Sequence, residues 1–258
     1  MASRLACTLL VTASGLLASP SAPASASDGT FLLMSREGAG EWQQADQRWR
    51  SLPPLFHIAP ISNTAWRTGS NDKLLLGLSN RSVLVVAPES QLRVTHFTQE
   101  PFIDASPQPE LEPSGSNLQI AHESGRLLLK AGELRANSSV LIRCQHGELR
   151  LISGTILIET DSNATRLWMW EGSASFTPSG GERVFLTRGT SYHYQMGRSP
   201  LRYPFDDVDL EDSIAHLQRA ASSGFARLAV LPAGENGLTR AESRYNDLPR
   251  ARIVQTFE

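Results

Sequence analysis

The sequence predicts an all-β protein with a single C-terminal helix. Between Thr30 and about Tyr194, short apolar runs are separated by Gly, Asn, Ser and Pro at roughly ten-residue spacing, a pattern typical of many short strands. Helical periodicity is confined to residues 206–224. The chain has 258 residues, 40% of them hydrophobic, which is enough apolar material for one β-type core.

The N-terminus has the pattern of an export signal. Arg4 precedes an apolar stretch, Leu5 to Ala18, and the small residues Ala24-Ser25-Ala26 follow it. The apolar stretch is about 14 residues long, short of the roughly 20 that a membrane-spanning helix needs. We therefore expect residues 1–26 to be a signal peptide that is cleaved after Ala26. The expected mature protein is periplasmic or secreted and has no membrane span.

Three segments share a local pattern of strand, tight turn and strand. They begin at Lys73, Arg126 and Arg166, and each continues into an apolar run that ends near Asn or Gly, residues that tolerate positive φ. The same pattern of apolar residues predicts further strands at Phe31–Met34, Val83–Val86, Gln91–Phe97, Leu118–Ala121, Val140–Cys144, Glu148–Ile152, Thr155–Thr160, Val184–Thr187 and Ser191–Gln195.

Residues 99–116 are predicted to be a loop that connects two groups of strands. Pro101, Pro107, Pro109 and Pro113 remove amide donors and restrict φ, which disfavours a strand. The loop is either a crossover within one β domain, residues 27–205, or a connection between two domains. Because the strands on both sides have the same character, the single-domain interpretation is favoured.

The predicted helix begins in an acidic segment at Asp206 and ends at Gly224, which suits a left-handed terminating residue. Leu210, Ile214, Leu217 and Ala221 follow a period of 3.6 and are expected to pack on the sheets. Residues 225–231 are predicted to form a strand, so that residues 206–231 make a C-terminal helix and strand. Residues 232–258 are predicted to be a polar tail.

The charge pattern and the motifs argue against several functional classes. The net charge of −2 provides no field that would attract a nucleic acid. The sequence contains none of the common enzyme motifs, such as HExxH, GxSxG, GxGxxG and the phosphate-binding GxxxxGK[ST]. Cys144 and His146 have a spacing that places two ligands on one face of a strand, but two residues do not make a metal site. We expect no metal, no cofactor and no catalytic residues.

Arg166, Trp168 and Trp170 are the candidate binding residues. Alternation along a strand places all three on one face, separate from Leu167 and Met169. An exposed face of this kind is a stacking platform for a sugar or a surface for a protein partner. If the C-terminal helix covers it, the same residues belong to the core, which is the more common situation for Trp in β proteins.

Several stretches together resemble the FecR-type extracytoplasmic domain, a bacterial sensor-regulator module. The resemblance covers about residues 38–194, and its motifs are structural rather than catalytic. The most recognisable stretch is Gly154-Thr155-x-Leu157-x-Glu159 followed by Thr165-x-Leu167-x-Met169-x-Glu171-Gly172. The other matching stretches are Thr68-Gly69-Ser70, residues 78–83, residues 88–94, residues 128–134 and residues 184–189.

The resemblance implies two packed, twisted sheets arranged as a sandwich or a short β-roll. It also implies a non-enzymatic sensory, regulatory or scaffolding role through an unidentified protein partner in the bacterial envelope. Well-known members carry a cytoplasmic anti-sigma segment before their membrane span, whereas only four residues precede the apolar stretch here. A carbohydrate-binding or envelope-associated β-sandwich that uses Trp168 and Trp170 is the alternative, and an unrecognised enzyme is the third hypothesis.

Overall fold

The chain folds mainly into β-strands, as a computed structural model shows for residues 26–45, 47–102, 110–205 and 212–229. Within these ranges there are sixteen strands and one helix, α1 (Asp212–Ala229). The predicted all-β class with one helix is therefore confirmed. The strands are β1 (Ser27–Asp28), β2 (Thr30–Glu37), β3 (Glu41–Gln44), β4 (Arg50–Ser51), β5 (Ile58–Pro60), β6 (Thr64–Arg67), β7 (Lys73–Leu78), β8 (Val83–Val86), β9 (Gln91–Gln99), β10 (Ser116–Glu133), β11 (Ser139–Cys144), β12 (Gly147–Thr160), β13 (Ala164–Pro178), β14 (Val184–Thr187), β15 (Thr190–Gln195) and β16 (Leu201–Pro204).

Hydrogen bonds join the described strands into one branched sheet that is not closed into a barrel. Its main path runs β16-β15-β13-β12-β11-β10-β8-β7-β2-β5. The first part of β10 pairs with β9 and β11, and its second part pairs with β8 and β12. The family resemblance implies two separate sheets, whereas the structure has one sheet with two parts. The longest strand, β10, belongs to both parts.

The central strands are buried on both faces. In β8, Leu84 and Val86 point into one apolar cluster, which contains residues from both parts of the sheet. Val83 and Val85 point into a second cluster, which α1 covers. Burial on both sides explains why these strands have continuous apolar sequences rather than alternating ones.

The predicted strands Glu148–Ile152 and Thr155–Thr160 are one strand, β12. The glycine in this segment favours a break between two strands, whereas in the structure the strand continues through Gly154 with a positive φ and with register shifts on both sides. Gly172, predicted to be in a turn, also lies inside a strand, β13, directly opposite Gly154. Its φ is +76°, so the predicted positive φ is confirmed while the predicted turn is wrong.

The helix ends later than the sequence predicts. Residues 206–211 lie outside the described residues, and α1 continues through Gly224 to Ala229. Residues 225–229 are therefore helical, and the predicted strand over residues 225–231 is wrong for this part. A Cβ atom at Gly224 would lie 3.1 Å from the side chain of Leu75, so this glycine permits close packing of the helix on β7 rather than ending the helix.

The end of the predicted loop is held by a buried carboxylate, Glu112. The hydroxyl groups of Ser116 and Ser138 donate hydrogen bonds to it, and the backbone amide of Arg135 donates a third at 3.1 Å. Burial raises the pKa of Glu112 above its ordinary value, although these hydrogen bonds oppose the rise. The carboxylate thereby ties the loop to the start of β10 and to the turn that follows this strand.

Candidate binding cleft

A cleft with a volume of about 710 Å³ opens between α1 and the ends of several strands. We call it the α1 cleft. Its charged and imidazole side chains come from separate elements, because the end of β2, the start of β7, the middle of β10 and the end of β12 meet beneath the first turns of the helix. These side chains are Glu37, Lys73, Glu89, Arg126, Glu159, Asp161 and His216.

Lys73 connects one wall of the cleft to the helix. Its Nζ lies 2.7 Å from Oε1 of Glu37 and 3.2 Å from Nδ1 of His216, and only 10% of the Lys73 side chain is exposed. An ammonium group only donates hydrogen bonds, so Nδ1 of His216 accepts in this contact. The ion pair thus holds a nearly buried cation and fixes an imidazole on α1 at the same time.

Glu159 lies between two guanidinium groups on the opposite wall. Arg126 Nε is 3.4 Å from Oε2 of Glu159, and Arg166 Nη1 is 3.1 Å from Oε1. The three residues are in register across β10, β12 and β13, because Glu159 pairs with Arg126 on one side and with Arg166 on the other. Arg166, a residue predicted to bind a partner, is therefore placed beside the cleft by cross-strand pairing.

Asp161 adds an exposed carboxylate at the turn after β12. Its Oδ1 accepts hydrogen bonds from the backbone amides of Asn163 at 2.7 Å and Ala164 at 2.9 Å. These amides, Asn163 first, hold the pKa of Asp161 below its usual value, while partial burial opposes them. With 49% of its side chain exposed, Asp161 presents a fixed negative charge to solvent.

The two tryptophans of the predicted binding face lie on the helix side of β13, as alternation predicts. Trp170 is only 5% exposed and belongs to the apolar cluster under α1, where its ring contacts Phe205 edge-on with centroids 5.7 Å apart. Trp168 is half-buried and packs against the same cluster. Trp170 thus has a packing role, as the alternative interpretation expects, and the binding role of the three residues stays a prediction.

Cys144 and His146 both have hydrogen-bonding neighbours inside the protein. The thiol lies 3.4 Å from the carbonyl oxygen of Gly147, and Nδ1 of His146 lies 3.0 Å from the hydroxyl of Thr165. Among the described residues, no group of three or more His, Cys, Asp and Glu side chains has a metal-binding arrangement. The side chains of Cys144 and His146 therefore belong to the packing of the sheet.

Sequence reasoning misses most of the cleft. Lys73 and Arg126 stand out in the sequence only as the first residues of apolar strands, without identified ion-pair partners. The sequence does contain a signal for the ion pairs. A charged residue stands at one end of each of the apolar runs involved, and antiparallel pairing of those runs would place opposite charges side by side. Using that signal requires the register of the strands, which local sequence does not provide.

No family model and no curated protein sequence matches this chain. Two solved structures, at 1.65 and 2.50 Å resolution, are similar; both are of a putative anti-sigma factor from Parabacteroides distasonis. Their TM-scores are 0.42 and 0.41, each at 7% sequence identity over 55% of this chain. The chain spans 60% of the length of these structures. A similarity this distant does not assign the chain to a family. Within the described residues, no helix is both long and apolar enough to cross a membrane.

Proposed function

We propose that this chain is a non-enzymatic, exported binding module of the FecR type, with a sensory, regulatory or scaffolding role in the bacterial envelope. The observation that carries the proposal is the α1 cleft, in which strand ends and a helix hold charged side chains in fixed positions. Polar and charged groups held on rigid elements are suited to recognising another molecule with specificity.

The family resemblance supports the same site. Its most recognisable stretch, from Gly154 to Gly172, forms the paired strands β12 and β13 and the turn between them. That hairpin contributes Glu159 and Asp161 to the cleft and places Arg166 beside it. The part of the chain that most resembles a sensor-regulator module is therefore the part that builds one wall of the cleft.

Site-specific photo-crosslinking in the exporting cell tests the proposal. A photoreactive amino acid at Ser162, an exposed residue that lines the cleft, is expected to capture a discrete protein partner. The matched control is the same amino acid at Glu182, which is exposed and is not part of the cleft. Identical products from both positions, or none from Ser162, would contradict a partner-binding role for this cleft.

A further inference from the structure

We propose that the α1 cleft binds a cationic polypeptide segment, so that Lys or Arg side chains of the partner meet the carboxylates at its rim. This inference rests on the proposed function, because it names the chemistry of the partner for the same site. The cleft volume of about 710 Å³ lies in the range of pockets that enclose a ligand, roughly 300–1,000 Å³. A short peptide segment with one or two long side chains fits a space of that size.

The charges of the cleft favour a cationic ligand. Among the described residues, four carboxylates line it against one ammonium and one guanidinium group. Complementary charge on a ligand accelerates association and discriminates against partners of the wrong sign. The carboxylates are Glu37, Glu89, Glu159 and Asp161, and the cations are Lys73 and Arg126.

Both cations of the described lining already contact carboxylates of the protein. Lys73 is nearly buried against Glu37, and Arg126 contacts Glu159. An anionic ligand would have to compete with these internal ion pairs. A cationic ligand instead meets two exposed carboxylates. Glu89 lies at the turn after β8, and Asp161 lies at the turn after β12, where Nη1 of Arg166 approaches its Oδ2 only to 4.0 Å.

The uncharged part of the lining argues against a stacked sugar as the ligand. The described residues that line the cleft include Ala87, Pro88 and Leu217, but no Phe, Tyr or Trp. Sugar sites commonly use an aromatic ring as a stacking surface. The lining therefore suits a ligand that is held by charge and by hydrogen bonds, as an extended basic peptide is.

Fluorescence anisotropy tests this inference. A labelled peptide of alternating Arg and Ser is mixed with the mature chain, residues 27–258. We expect saturable binding that weakens as salt rises from about 50 mM to about 300 mM, since exposed charges are screened. The double variant Glu89→Gln and Asp161→Asn is expected to bind about fivefold more weakly, because each exposed ion pair contributes a modest amount. Asn at position 161 keeps the Oδ1 that accepts the two turn hydrogen bonds, so the variant is designed to fold.

The matched control is Glu182→Gln, which removes one exposed carboxylate outside the cleft and should leave the affinity unchanged. Thermal melting of each variant shows that it is folded. Equal affinity for a peptide in which Glu replaces Arg, or an unchanged affinity in the folded double variant, would overturn the inference. Cationic binding with no crosslinked partner from Ser162 counts against the proposed function alone, whereas a crosslinked partner without cationic selectivity overturns only this inference.

Discussion

Gly154 on β12 and Gly172 on β13 lie directly opposite each other, and both have positive φ, +95° and +76°. The ladder between the two strands has register shifts on both sides of this pair. Neither position has room for a side chain: a Cβ at Gly154 would lie 2.0 Å from the carbonyl oxygen of Glu171, and one at Gly172 would lie 2.1 Å from that of Ser153. This irregular part of the ladder therefore depends on glycine for both its backbone conformation and its close contacts.

Gly172→Ala is expected to lower the free energy of unfolding by about 3 kcal/mol, because it combines an unfavourable φ with a backbone clash. Gly180→Ala is the matched control, since Gly180 has the same φ of +76° but a Cβ added there would meet no atom within 4 Å. The control should lower the free energy of unfolding by only about 1 kcal/mol, because it has the unfavourable φ without the clash. Urea unfolding of both variants measures the difference, and equal losses would show that the contact with Ser153 does not matter.

Acid is expected to destabilise the protein through His122. This imidazole is 1% exposed, and burial lowers its pKa from 6.5 to about 4. The unfolded state then binds more protons than the folded state between these values, so stability is lost as the pH falls from about 6.5 to about 4. The loss attributable to this residue is about 3 kcal/mol.

His122→Leu should remove that part of the pH dependence, because leucine does not titrate. The measurement is the free energy of unfolding of the natural protein and of the variant at several pH values from 7 to 4. The difference between the two curves isolates the contribution of His122. Carboxylates such as Glu112 contribute in the opposite direction, because a pKa that is raised in the folded state adds stability as the pH falls. Parallel curves would contradict a buried neutral imidazole at this position.

Trp170→Ala is expected to lower stability by about 3–5 kcal/mol, since it removes a large side chain from the cluster under α1. Trp168→Ala should cost less, because that side chain is only half-buried. Neither tryptophan lines the α1 cleft, so folded samples of both variants should bind the cationic peptide normally. A Trp170→Ala protein that is as stable as the parent but binds poorly would restore the tryptophan face as the functional surface.

Export is expected to remove residues 1–26. Small residues at Ala24 and Ala26 after a short apolar stretch favour cleavage at that point. Intact-mass measurement of the exported protein should therefore give a chain that begins at Ser27. A mature chain that still begins at Met1 would contradict both the signal peptide and the periplasmic or secreted location.

Local sequence predicts strands well where a single apolar run meets a clear boundary. Val83–Val86 is observed with the predicted bounds, and Gln91–Phe97 extends by only two residues. The short strands β3 to β6 and β16 are not predicted, and other errors involve glycine. The sequence pattern marks Gly154, Gly172 and Gly224 as interruptions. In the structure, Gly154 and Gly172 lie at an irregularity within paired strands, and Gly224 permits close packing of a helix. A local pattern cannot separate these uses, because the difference lies in which distant backbone or side chain approaches the glycine.

The cleft is harder to predict than the fold. Arg166 is a candidate in the sequence because it alternates with two tryptophans, and the structure connects it instead to Glu159 on the neighbouring strand. That contact depends on the register of β12 and β13, and the contact between Lys73 and His216 joins residues 143 positions apart. Long-range pairing of this kind is set by tertiary packing, which composition and periodicity do not specify.

The sharing of β10 between both parts of the sheet has a consequence for how the molecule unfolds. Its first residues hydrogen-bond to β9 and β11, and its later residues hydrogen-bond to β8 and β12. Separating either part of the sheet from β10 would leave backbone groups of β10 without hydrogen-bond partners. It would also expose apolar side chains that pack against the other part. Loss of structure on one side therefore propagates to the other, and the β region should melt in a single cooperative transition without a half-folded intermediate.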